Sequence, residues 1–382
     1  MTQSPAIKLL VIAGARPNFM KVAPLIKAAE AHNAGRGKGG VYLDWQLVHT
    51  GQHYDQKMSD IFFQELGIPA PHINLGIGSG SHALQTANVM CKFEEVCLAQ
   101  APDWVIVVGD VNSTMACTLV CAKMGIKVAH VEAGLRSYDR TMPEEINRIV
   151  TDALADLLLT PSSDADENLK REGVAESKIK LVGNVMIDTL SANLAKAESS
   201  PIMKDLGLHS KFFAYVTLHR PANVDDKDSL GEIIVNLEKL AHRLPVVFPM
   251  HPRTRKMLAQ FGIMPASNGM FKVLEPIGYY DSICLTQNAR LILTDSGGLQ
   301  EESTFFKTPC LTLRPNTERP VTITLGSNRL TQLSRLSADI EEILSAGKEK
   351  GRIPPLWDGN ASARIIEALI EQDQIIRQRH LS

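Results

Sequence analysis

The chain has 382 residues, 44% hydrophobic and 21% charged, which suits a soluble globular protein too long for one ordinary core. Its 40 basic and 42 acidic residues leave a net charge of −2, so it lacks the field that nucleic acid or an anionic membrane would need. No run approaches the roughly 20 apolar residues of a membrane helix, and MTQSPAIKLLVIAGARP has no signal-peptide layout.

In chain order, Ile7–Ile12 is fully apolar and reads as a buried parallel strand. Asn18–His32 has helical spacing, Arg36–Gly40 is a loop, and Tyr42–Val48 is a second strand. Gln56–Leu66 reads as a helix, Gly78–Ser81 as a loop and Ala83–Leu98 as a long helix. Next come strand Trp104–Val108, helix Asn112–Met124, strand Lys127–Val131 and helix Glu144–Asp156. Leu157–Thr160 and Ile179–Val182 close this series, and polar, alanine-rich Asn184–Pro201 reads as a connection.

A second series follows. Its expected strands are Phe213–Leu218, Val246–Pro249, Met270–Leu274, Arg290–Leu293 and Pro309–Leu313. Its helices are Ser229–His242, Thr254–Phe261, Asp281–Gln287 and Leu299–Phe306; after Pro354-Pro355 a final helix spans Ala361–Arg379. Repeated βα units argue for an α/β chain of two Rossmann-like domains, each a doubly wound parallel sheet. The expected division is 1–188 and 189–359. Ligands bind beyond the carboxyl ends of such strands, so two facing domains would enclose a central cleft. The six cysteines include no C-x-x-C and no His at ligand spacing, so they read as reduced, mostly buried thiols of a cytoplasmic protein, with no metal.

The residues after each strand carry the chemistry. The first strand ends in Gly14-Ala15-Arg16-Pro17-Asn18-Phe19-Met20-Lys21, which is no G-x-G-x-x-G. Arg16 offers a bidentate fork for diphosphate, although a solvated loop Arg is the alternative. Gly109-Asp110 ends one strand, His130-Val131-Glu132 the next, and Glu144, Glu145 and Arg148 open the following helix. Asp110, Glu132 and Glu144 would then converge on one rim, where neighbouring carboxylates can divide the base and acid roles. Separately, Asp110 could be an N-cap and Glu144 a favourable first-turn charge.

In the second series, His219-Arg220-Pro221 follows one strand and His251-Pro252-Arg253 another. His219 could donate to phosphate or shuttle a proton, whereas His251 reads as a satisfied hydrogen-bonder. Arg253-Thr254-Arg255-Lys256 reads as a solvated helix face. Leu291–Phe306 reads as a buried strand, a Ser296-Gly297-Gly298 turn and a helix start. Unpaired first-turn amides and the helix dipole favour phosphate there, with Glu302 available to sugar hydroxyls. The other reading is an ordinary cap at Ser296 with a solvated Glu302. Arg314 and Arg319 stand on a proline-flanked loop, and Arg319 could reach an anion at the Ser296 turn.

Together GARPNFMK, TGQHYD, GDVNST, HVEAGLRS, PEEINR, HRPANVD, FPMHPRT, TDSGGLQEE and NTERP closely resemble the non-hydrolysing UDP-N-acetylglucosamine 2-epimerases. The resemblance implies a glycosyltransferase-B type fold, with the C-terminal helix, about 360–382, packing back on the first domain. It also implies a cytoplasmic homodimer that interconverts UDP-N-acetylglucosamine and UDP-N-acetylmannosamine for surface polysaccharide. The expected route eliminates UDP to 2-acetamidoglucal and adds it back, with no cofactor.

Carried over by motif, Asp110, Glu132, Glu144 and His219 are catalytic, with Arg148 beside the acids. Arg16 and Lys21 match the first-strand signature of the substrate site, with Arg16 contacting phosphate; Ser296, Gly297 and Gly298 match the phosphate turn, Glu302 the ribose ligand and Arg319 the second-domain Arg. Ala222 stands where the family often has Glu. Gln52-His53-Tyr54-Asp55 departs from the pattern of substrate-activated members, so weak or absent activation is expected. Alternatives are an epimerase of a related UDP-sugar such as a diacetamido-uronic acid, a hydrolysing 2-epimerase, a glycosyltransferase and a nucleotide-sugar sensor.

Overall fold

Apolar runs such as WVIVV at Trp104–Val108, buried at every position, become parallel strands, and the amphipathic segments between them become helices. The computed structural model describes residues 6–37, 40–51, 67–266, 269–345 and 351–379, without the side chains of Arg16 and Pro17. The chain divides into two units: unit 1 runs to Thr189 and resumes at Pro355, and unit 2 is Leu190–Pro354.

Unit 1 begins with β1 (Ala6–Ala13), α1 (Arg16–Gly35), β2 (Tyr42–His49), β3 (Ile73–Asn74) and α2 (His82–Gln100). It continues through β4 (Trp104–Val108), α3 (Asn112–Met124), β5 (Lys127–Val131), α4 (Pro143–Leu154) and β6 (Leu157–Thr160). Then come α5 (Ser163–Arg171), β7 (Ile179–Leu181) and α6 (Val185–Glu198), within which the division falls. Its seven described strands lie in the order β3-β2-β1-β4-β5-β6-β7, and every pairing is parallel.

Unit 2 holds α7 (Ile202–Asp205), β8 (Ala214–Thr217), α8 (Pro221–Val224), α9 (Lys227–Ala241), β9 (Val246–Pro249), α10 (Pro252–Phe261) and β10 (Phe271–Leu274). After these come α11 (Tyr279–Asn288), β11 (Leu291–Thr294), α12 (Gly297–Phe306), β12 (Cys310–Leu313), α13 (Val321–Thr324), β13 (Asn328–Thr331) and α14 (Leu333–Ser345). Its sheet order is β10-β9-β8-β11-β12-β13, again all parallel.

In each sheet the strand order reverses once, between β1 and β4 and between β8 and β11. An open parallel sheet splays its flanking loops apart at that point, which leaves room for a ligand at the carboxyl ends.

The chain then returns to unit 1 as α15 (Ala361–Arg379), which packs on α1. Trp104 Nε1 donates to Asp373 Oδ1 at 3.0 Å and Trp357 Nε1 to the Pro161 carbonyl at 3.0 Å. Asp188 accepts from the first amides of α15, Ala361 at 3.0 Å and Ser362 at 2.6 Å. A Cβ on Gly183, at φ +90°, would lie 2.1 Å from the Leu356 carbonyl oxygen, so the returning chain passes where only glycine fits.

Several sequence expectations are corrected. Asn184–Pro201 is not a bare connection, because α6 fills most of it and buries Val185, Met186, Ile187 and Leu190. The two-residue β3, the polar α5, and β13 with α14 were not anticipated. Thr254 is not solvated; its hydroxyl donates to the Leu218 carbonyl at 2.5 Å. The expected helix Gln56–Leu66 and the segment Gln52–Asp55 lie outside the described residues. All six cysteines are free thiols, with only Cys91 exposed. No described helix is long and apolar enough to cross a membrane, and no described group of His, Cys, Asp and Glu could hold a metal ion.

Candidate active site

In unit 1 the site is built where β1 and β4 part. Asn18 ties the two strand ends together. Its Oδ1 accepts from the amides of Gly14 at 3.2 Å and Ala15 at 2.9 Å, and its Nδ2 donates to the Val108 carbonyl at 2.9 Å. Arg16 is the first residue of α1; its side chain lies outside the described part. Lys21 extends from α1 to an ion pair with Glu132, and both are buried. Gly109 lies beneath this pair at φ +66°, where a Cβ would stand 2.8 Å from Lys21 Nζ and 3.3 Å from Glu132 Oε2.

Glu132 directly follows β5 and holds a left-handed backbone, φ +70°. That conformation is costly for a residue with a Cβ, and such strain concentrates at functional sites. Asp110 follows Gly109 and pairs with Arg148 on α4, while Asn147 Nδ2 donates to its carbonyl at 2.8 Å. Asp110 is not the cap of α3; Val111 occupies that position.

Glu144 stands exposed in the first turn of α4. Its neighbour Glu145 is buried and organises the rim. It accepts from Arg148 Nη2 at 2.7 Å, the Ser137 amide at 3.0 Å and the Tyr138 amide at 2.8 Å. Burial pushes the Glu145 carboxyl up, but those amides and the Arg148 guanidinium outweigh it and hold it below its ordinary value. From the sequence Glu145 has no role of its own, because a Glu in the first turn of a helix is ordinarily a favourable solvated charge.

In unit 2 the site lies where β8 and β11 part. Asp295, fully buried, accepts from the amides of His219 at 3.0 Å and Arg220 at 2.9 Å and from Asn223 Nδ2 at 3.0 Å. His219 Nδ1 lies 2.9 Å from Asp295 Oδ1, with the His219 side chain 40% exposed. Burial raises the Asp295 carboxyl, and these donors, His219 foremost, bring it below its ordinary value. With Nδ1 engaged by Asp295, Nε2 is the His219 ring nitrogen that this pair leaves uninvolved. His251 packs against it, ring centroids 5.5 Å apart, and accepts from the Arg253 amide at 3.2 Å.

Ser296 occupies the cap position of α12, but its hydroxyl makes no capping bond. The Ser296 side chain therefore does not take up the first-turn amides of α12. A Cβ on Gly297 would lie 2.8 Å from Arg319 Nη1, so the guanidinium sits directly over the turn; one on Gly298 would meet only open space. Arg319 pairs with Glu301, Nε to Oε1 at 2.8 Å, and with Glu318, which Arg314 holds in turn at 2.8 Å. These four buried charges alternate in sign. Glu302 is not solvated: it is buried, and burial together with the Glu301 charge pushes its carboxyl up to about 8.

The family model described as UDP-N-acetylglucosamine 2-epimerase matches residues 39–370. The chain belongs to the UDP-N-acetylglucosamine 2-epimerase family. A Methanocaldococcus jannaschii protein named UDP-N-acetylglucosamine 2-epimerase is 42% identical over 373 residues, covering 95% of this chain and 99% of the relative. A solved structure of the M. jannaschii UDP-GlcNAc 2-epimerase in complex with UDP-GlcNAc and UDP has a TM-score of 0.83 at 41% identity, covering 96% and 100%. A Pseudomonas aeruginosa UDP-2,3-diacetamido-2,3-dideoxy-D-glucuronate 2-epimerase is 40% identical over 368 residues, covering 95% of this chain and 99% of the relative. A likeness in fold alone reaches further: a UDP-glucosyltransferase from Polygonum tinctorium has a TM-score of 0.58 at 13% identity, covering 98% and 94%, in keeping with a glycosyltransferase-B type architecture.

Proposed function

We propose that this chain interconverts UDP-N-acetylglucosamine and UDP-N-acetylmannosamine by eliminating UDP and adding it back. The observation that carries this reading is a buried carboxylate, Glu132, held in a strained backbone against Lys21 in a chain 42% identical to a named 2-epimerase. The sugar C2 proton has no ring carbonyl beside it, so deprotonation must be coupled to loss of a leaving group. A carboxylate takes the C2 proton and the C2–H electron pair forms the C1=C2 bond. The C1–O bond breaks, with its electrons leaving on the β-phosphate oxygen of UDP. The 2-acetamidoglucal then receives the UDP oxygen at C1 and a proton at C2 from the opposite face. The cycle is redox-neutral and calls for no nicotinamide.

Asp110, Glu132 and Glu144 supply the base and the acid in this scheme, and Lys21 and Arg148 balance their charge. The Ser296-Gly297-Gly298 turn, Arg16, Arg319 and His219 take the diphosphate, whose charge grows as the bond breaks. Glu302 accepts from the ribose hydroxyls. The P. aeruginosa relative supports a second reading, the same chemistry on a diacetamido-uronic acid. We also assign the chain to the cytoplasm, as a homodimer. Leu84 and Leu98, 57% and 70% exposed on α2, offer apolar surface for a second copy, which sedimentation would detect.

Incubation with UDP-N-acetylglucosamine in deuterated water, read by proton NMR, tests the scheme. Deuterium at C2 of both epimers is expected. No deuterium in either, or turnover only with added NAD, would overturn it.

A further inference from the structure

His130 lies in β5, two residues before Glu132, with no exposed surface. Its Nε2 is 2.8 Å from the Gly109 carbonyl oxygen and its Nδ1 2.6 Å from Asp152 Oδ1. A carbonyl oxygen only accepts, so Nε2 carries a proton and donates it. The other carboxylate oxygen, Asp152 Oδ2, accepts from Arg136 Nη1 at 2.7 Å and the Gly134 amide at 3.0 Å. Arg136 is braced in turn by Glu172 through two bonds, at 2.8 and 2.6 Å.

This buried chain ends on one peptide group. Gly109 carries Asp110 on its carbonyl side, and its open α-carbon face receives Lys21 and Glu132. Its left-handed φ, +66°, belongs to a residue with no side chain to hold it in place. The bond from His130 constrains the carbonyl instead. The charged groups around the imidazole are Asp152 from α4, Arg136 from the loop after β5, and Asp110, Lys21 and Glu132 beyond the Gly109 peptide.

We propose that His130 is a positioning residue for the epimerase reaction: held by Asp152, it clamps the Gly109 carbonyl and so fixes Asp110 and the seat of the Lys21–Glu132 pair. This rests on the reading of Asp110 and Glu132 as the groups that face the sugar. Hydrogen-bonded second partners of this kind orient reacting groups without touching substrate, and a 1 Å misplacement costs on the order of 100-fold in rate.

Two variants separate the clamp from the rest of the network. His130→Phe keeps a planar ring and removes both bonds. Asp152→Asn can place its amide nitrogen toward Nδ1 and its oxygen toward Arg136 and Gly134, so the Nε2 bond to Gly109 survives while the carboxylate charge is lost. His130→Phe is expected to lower kcat about 100-fold, with KM and UDP affinity within about threefold of the parent. Asp152→Asn should retain kcat within about tenfold.

A folded His130→Phe with unchanged kcat, or with its loss in KM, overturns the proposal. So does an Asp152→Asn that binds UDP normally yet loses activity as fully as the clamp's removal predicts, a result that can be read even if His130→Phe does not fold. The unmutated protein, assayed alongside for C2 deuterium exchange, tests the underlying reaction separately.

Discussion

Lys21 on α1 and Glu132 after β5 form an ion pair with side chains only 9% and 3% exposed. Two charges withdrawn from water this far are tolerated when each compensates the other, and removing one strands its partner. Glu132→Gln should lower turnover by orders of magnitude while UDP affinity changes little. Asp110→Asn and Glu144→Gln should follow the same split, which steady-state rates and calorimetric UDP titration would reveal. Normal turnover in all three would remove the proposed acid–base roles.

Glu302 has a signed pH dependence. Its carboxyl is pushed up to about 8 in the folded chain by burial and Glu301, against about 4.3 when unfolded. Between those values the folded chain keeps a proton that the unfolded chain has lost, so stability falls as pH rises, and the full cost is present above pH 8. Glu302→Gln should therefore raise Tm over the parent more at pH 9 than at pH 5. Ribose hydroxyls donating to Glu302 favour its ionised form, so UDP binding near pH 7 should release a proton. Binding heats that do not vary with buffer ionisation enthalpy would contradict this, and Glu302→Ala should bind UDP more weakly.

Gly297 keeps space for Arg319. Its φ is not in the left-handed region, so Gly297→Ala leaves the backbone unstrained but drives a methyl against the guanidinium, 2.8 Å from Nη1. Arg319 is held by Glu301 and Glu318 and cannot swing away freely. UDP affinity should fall about tenfold, as for the loss of one charge-assisted contact, and Tm should fall with it, because the displaced guanidinium disturbs its pairs with Glu301 and Glu318.

Glu145 has the opposite pH behaviour to Glu302. Its carboxyl is held below its ordinary value, so its contribution is complete above the unfolded pKa of about 4.3. It is lost as pH falls through the folded value. Glu145→Gln should cost about 3 kcal/mol near pH 7, from weakening a buried pair with Arg148 and the Ser137 and Tyr138 amides. Thermal melts should show that deficit shrinking below pH 4.

Strands such as Trp104–Val108 were legible because burial on both faces demands an unbroken apolar run. β13 was not, since Asn328 is buried by bonds to Thr312 and Thr322 rather than by apolar contact. α5 buries only Ala165, Asn168 and Leu169, too weak a stripe to read. Asp110, Glu132, His219 and Ser296 stood out because a parallel sheet gathers functional groups at its carboxyl ends. Glu145, Asp152, Asp295, Glu301 and Glu318 did not. Glu145, Asp152 and Glu318 lie near a base in sequence, Asp295 follows a strand as a cap would, and Glu301 sits within a helix, so only burial distinguishes each from a solvated charge.

The path of the chain constrains its synthesis. Unit 1 is interrupted by the whole of unit 2 and finishes with α15. On the ribosome, the Trp104 indole emerges 269 positions ahead of Asp373, the group that satisfies it. The face of α1 that α15 covers stays wet over the same interval, while the nascent unit 2 can already fold. A premature stop that removes only the final helix would therefore damage the half of the protein that was translated first.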